Sequence, residues 1–86
     1  MDKTIKVILL TNNQILISQI EEMSTELGEP DCRLIEPFLL NQSSLTLSPW
    51  LIDYTSDNKY MISSDKIMTL SDPNSELLKK YIELNK

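Results

Sequence analysis

Residues 5–10 read Ile-Lys-Val-Ile-Leu-Leu, and this run constrains the fold more than any other feature of the chain. Its β-branched residues favour an extended strand, in which successive side chains point to opposite faces. Ile5, Val7 and Leu9 therefore share one face, while Ile8 and Leu10 share the other. Both faces call for burial. A small curled sheet has only one inside, so the second face must meet another element or a second copy of the chain. With 86 residues there is room for one core, and a fold of that size hides only about 60% of the surface of its unfolded chain. One cysteine and no histidine exclude an intrachain disulfide and the usual zinc sites within a subunit. Self-assembly is the expected source of the missing burial; the alternative is a monomer whose C-terminal helix covers the exposed face.

The rest of the chain reads as short strands and one helix. Thr4–Leu10 and Ile15–Ile20 flank Thr-Asn-Asn-Gln, a hairpin pattern. Gly28 and Pro30 mark a loop, after which Cys32–Leu40 reads as a third strand with Pro37 at an edge or bulge, because proline cannot donate to the ladder. Two or three short strands are expected between Leu45 and Leu70, the first broken at Pro49. Asp72-Pro73 predicts a helix start with Asp72 as N-cap. Leu77, Leu78, Tyr81, Ile82 and Leu84 form its apolar stripe, and Glu76 and Lys80 are spaced for an ion pair. The expectation is one domain over residues 1–86, with strands over about 4–71 and the helix over about 73–85.

Charge and chemistry exclude several function classes. The net charge is −5, which opposes long-range attraction of nucleic acid unless cations cluster locally. Without histidine the commonest general base is missing, and Cys32 reads as a small buried hydrophobe, so no enzyme is expected. Glu21 and Glu22 are adjacent on a strand and point to opposite faces. Asp53, Asp57 and Asp65 lack the spacing of a calcium loop, so no metal or other cofactor is expected. No signal-peptide pattern and no membrane-spanning run is visible, which makes the cytoplasm the expected location.

Two stretches carry a family resemblance. Ile8, Leu10, Asn13, Ser18 and Ile20 stand at the spacing V-x-L-x-x-G-x-x-x-x-G-x-L. Ile62, Ser63, Ser64, Ile67 and Leu70 stand at I-R-G-x-x-I-x-x-I. In both, the chain resembles the Sm/LSm (Hfq-like) family of small β-barrels. Serines replace the Arg-Gly pair, Asp65-Lys66 replaces the Lys-His pair, and the helix closes the chain instead of opening it. In this it is similar to the divergent Sm-like proteins of cyanophages, for which the location would be the host cytoplasm.

The resemblance implies a mainly β fold, a strongly bent five-stranded antiparallel barrel of the SH3 type, here with a C-terminal helix. It also implies a homo-oligomeric ring, from pentamer to heptamer, that binds single-stranded RNA or assists its pairing without a covalent step. Arg33, Ser63, Ser64 and Lys66 are the candidate RNA contacts, and Met61, Ile62, Ile67, Met68 and Leu70 the candidate subunit contacts. The second reading is an acidic ring that scaffolds proteins, for example a host factor, and has lost RNA affinity.

Overall fold

The computed structural model describes residues 4–23, 26, 28–51 and 54–85. Six strands and a helix follow in chain order: β1 (Ile5–Leu10), β2 (Ile15–Glu22), β3 (Cys32–Asn41), β4 (Thr46–Pro49), β5 (Lys59–Ile62), β6 (Ile67–Ser71) and α1 (Ser75–Leu84). A single 3-10 turn, Ser64–Lys66, links β5 to β6. All pairings are antiparallel. The strand order is β4-β3-β2-β1-β6, with β5 also on β3.

The β1–β2 hairpin forms where the sequence predicts it. Its loop turns through Asn13 at φ 70, a left-handed conformation that asparagine tolerates better than most residues. The Asn12 side chain accepts the Gln14 N–H at 3.0 Å and closes the turn.

The strand count is six, not the expected five, and the reason lies in β3. Between Ile17 and Gln19 the β2–β3 register shifts, and the surplus falls on β3 at Glu36-Pro37. Glu36 sits at φ 53 there, and Pro37 occupies the bulge, where no ladder donor is required. The bend divides the outer side of β3. Cys32–Ile35 pairs with β5, and Phe38–Asn41 pairs with β4. One outer strand is thus replaced by two short ones.

Two apolar clusters lie on opposite faces of the sheet. Ile8, Leu10, Leu16 and Leu34 form the first, joined by Ile20, Leu39, Trp50, Ile62 and Ile67. Ile17, Phe38 and Tyr81 form the second, joined by Ile5, Leu47 and Leu77 beneath α1. The two-faced reading of β1 is visible in this division, with Ile8 and Leu10 on one side and Ile5 on the other. The helix leaves Val7, Leu9 and Ile15 half-buried.

Tyr81 ties the helix to the sheet through its hydroxyl. Its Oη donates to the Glu36 and Ile35 carbonyls, at 2.8 and 3.1 Å, and accepts the Gln19 N–H at 3.3 Å. The phenol therefore bridges β2 and β3 where their register shifts. Ser18, fully buried beside it, has its hydroxyl 3.1 Å from the same Ile35 carbonyl.

The helix start differs from the sequence expectation. Asn74 is the N-cap, its side chain accepting the Leu77 N–H at 2.9 Å. Asp72 is drawn instead to the Lys6 ammonium, so Pro73 precedes the cap. Lys80 likewise turns from Glu76 toward the Leu45 carbonyl, 3.5 Å away. Among the described residues no helix is long and apolar enough to cross a membrane.

Candidate functional site

The candidate residues fall in two places. Arg33 lies near the start of β3, in a cross-strand row with Glu21 on β2 and Met61 on β5. Its Nη2 is paired with the Glu21 carboxylate, while its Nε is buried without a partner among the described residues. Ser63, Ser64 and Lys66 lie together in the β5–β6 connection, which a single 3-10 turn makes.

That connection is held by acids. The Ser64 N–H and hydroxyl both donate to the Asp31 carboxylate, each at 2.7 Å. These bonds, the hydroxyl first, hold the Asp31 carboxyl below its ordinary range because they favour the ionised form. The Ser63 hydroxyl donates to Asp65. Lys66 is exposed and forms no ion pair among the described residues. Its backbone carbonyl accepts the Thr11 N–H at 3.0 Å, which fixes the loop against the β1–β2 turn. Of the four candidate RNA contacts, three are engaged by carboxylates and one is open.

The candidate subunit contacts also divide. Ile62 and Ile67 pack on the first apolar cluster. Met61, Met68 and Leu70 stay in solvent, 46%, 60% and 46% exposed. They lie on β5 and β6, each of which pairs with only one strand among the described residues.

Cys32 opens β3, opposite Ile62 of β5. It is buried, and burial, with the charges of Asp31 and Glu22, pushes its thiol pKa up. A thiol in that setting is a poor nucleophile, since the thiolate is the reactive form. No group of three metal-ligating side chains occurs among the described residues. Asp53 lies outside those residues.

Two features of the site had no legible signal in the sequence. Glu21 claims Arg33 only because the β2–β3 register sets them opposite each other. Asp31 meets Ser64 only because β3 and β5 pair, across 33 residues of chain. No curated protein matches the chain. The model of DUF6561, a family of unknown function, matches residues 3–86, and the chain belongs to that family.

Proposed function

We propose that this chain is a non-enzymatic, Sm-like subunit of a homo-oligomeric ring, an acidic scaffold that binds protein. The observation that carries the assembly is the pair of edges. β5 and β6 each present an open ladder side, and Met61, Met68 and Leu70 stand exposed on those strands. Unpaired edges with apolar side chains invite pairing with another chain, and ring closure through β5 and β6 satisfies both of these, while β4, also an edge among the described residues, lies outside that pairing. Other features support the Sm-like reading. Five of the six apolar family positions, Ile8, Leu10, Ile20, Ile62 and Ile67, meet in one cluster while the sixth, Leu70, stands exposed; Asn13 holds the left-handed turn conformation, and the bend of the second and third strands falls at Ser18.

The charges favour protein over nucleic acid as the ligand. Arg33 is matched to Glu21, and Ser63 and Ser64 face Asp65 and Asp31. A ring would repeat the acids along with the cations, which leaves little positive field for phosphates. The single-stranded RNA reading rests on Lys66, which has no acidic partner among the described residues.

Molar mass by light scattering and oligonucleotide titration test both parts. A pentamer to heptamer is expected, broken to smaller species by Met68→Lys with Leu70→Lys; a monomer in the unmodified protein refutes the ring. U-rich and A-rich oligonucleotides should bind weakly even at low salt. Submicromolar, salt-sensitive binding lost in Lys66→Ala would restore the RNA reading and overturn the scaffold.

A further inference from the structure

The bulge of β3 opens a cleft on the edge where β4 ends and β5 begins. Pro37, Pro49, Trp50 and Tyr60 wall it, and Glu36 and Asp57 stand with them at its lining. Its volume is about 180 Å³, below the roughly 300–1,000 Å³ of sites that enclose a whole small molecule. It is a space for one side chain.

We propose that this cleft receives a cationic side chain, an arginine by preference, presented by a partner polypeptide. The walls and the charges argue for it independently. The Trp50 and Tyr60 rings meet edge to face, with centroids 5.9 Å apart and planes at 87°. Two perpendicular aromatic walls offer a π-face to a cation, and a planar guanidinium stacks there better than an ammonium. The Tyr60 hydroxyl donates to the Trp50 and Asp57 carbonyls, which locks this wall to the loop before β5. Glu36 is held in place by the Asn58 amide, and its own N–H donates to the Asn58 carbonyl at 2.7 Å.

Neither Glu36 nor Asp57 has a cation within ion-pair distance among the described residues. Their charges add to burial in pushing the Tyr60 hydroxyl pKa up, so both fields reach the cleft wall. Two uncompensated carboxylates beside aromatic faces repel phosphate and favour a guanidinium, whose fork can meet either acid. Glu36 occupies the left-handed region at φ 53, and such strain persists where the surrounding structure imposes it, often at binding sites.

This inference deepens the protein-scaffold reading and rests on it, but not on the ring, because one copy supplies every wall. Trp50 is the only tryptophan, so its emission reports on the cleft. The probe is a blocked Gly-Pro-Arg-Pro-Gly peptide, with the citrulline-for-arginine peptide as its neutral isostere. The arginine peptide should change Trp50 emission saturably, and more weakly as salt rises. Citrulline, or the pair Glu36→Gln and Asp57→Asn, should each weaken binding by about tenfold. If that pair fails to fold by circular dichroism, Asp57→Asn alone should weaken binding by about threefold.

No saturable response, an equal response to citrulline, or unchanged affinity in the folded variants overturns the cleft assignment. An oligouridylate that displaces the peptide overturns it together with the scaffold. Sedimentation of the same samples separates the cleft from the ring: peptide binding by a monomer sustains the first without the second.

Discussion

Tyr81→Phe removes a single oxygen, and its cost should be that of a severed strand junction, not of a weakened helix contact. Tyr81 is 1% exposed. Its hydroxyl lies 2.8 and 3.1 Å from the Glu36 and Ile35 carbonyls and 3.3 Å from the Gln19 nitrogen. A phenylalanine ring edge offers these groups nothing, so a buried amide and a carbonyl lose a partner together, at about 1–3 kcal/mol. In a domain of this size 1 kcal/mol corresponds to about 4–8 °C in Tm, so a loss of about 2 kcal/mol lowers Tm by roughly 8–16 °C. Urea unfolding followed by Trp50 emission should show a lower midpoint with an unchanged slope. A loss below about 0.5 kcal/mol, under the usual range for such a bond, would refute the bridge. It would assign the role of Tyr81 to its edge-on packing against Phe38, with centroids at 5.7 Å.

The same hydroxyl has an alkaline signature. Burial pushes its pKa up, so the fold retains the neutral phenol after the unfolded chain has begun to ionise. Its contribution is therefore fully present below about pH 10, where the free phenol titrates, and is lost as pH rises toward the folded value. Tyr81→Phe should flatten part of this alkaline decline. Tyr60, whose hydroxyl is raised in the same direction by burial and then by Asp57 and Glu36, and Cys32, whose thiol burial raises too, should contribute to the rest.

Two further perturbations separate neighbouring residues by role. Asn74→Ala should cost about 1 kcal/mol in thermal or urea unfolding through loss of the helix cap, whereas Asp72→Ala should cost less because its pair with Lys6 lies at the surface; equal costs would return the cap to Asp72. Ser64→Ala should raise the Asp31 carboxyl pKa toward its ordinary value, read by carbon NMR, since the Ser64 hydroxyl is the first cause of its depression. Because the folded carboxyl is the more acidic, the stability that it contributes is present above the ordinary carboxylate pKa and lost as pH falls toward the folded one. Ser64→Ala should reduce that acid dependence, and an unchanged Asp31 titration would refute the assignment.

What could be read in the residues was local. Val7 and Ile8 announced a strand with two buried faces, Asn13 a left-handed turn, and Pro37 a place where no ladder donor was needed. Each of these depends on neighbours within a few positions. The helix start was misplaced by two residues because Asp72 and Asn74 are both good caps, and a lysine far away in sequence, Lys6, decided between them. The partners of Arg33 and Ser64 were likewise set by strand register. Glu21 and Asp31 became neighbours of the candidate site only after β2, β3 and β5 aligned, and no periodicity encodes that. The bridging role of the Tyr81 hydroxyl was hidden for the same reason, since the stripe on α1 registers its ring and not its oxygen.

The surplus residue in β3 has a consequence for inheritance as well as shape. Before it, even-numbered side chains such as Leu34 enter the first cluster; beyond it, Leu39 enters that cluster while Phe38 turns to the helix. A one-residue deletion at Glu36-Pro37 would therefore straighten the strand and leave Leu34 and Leu39 on their shared face, whereas pairing both residues into a regular ladder would exchange inside for outside along the second half. Relatives of this chain that lack one residue at that point should keep the pattern of both clusters and lose the bend that divides the outer side of β3.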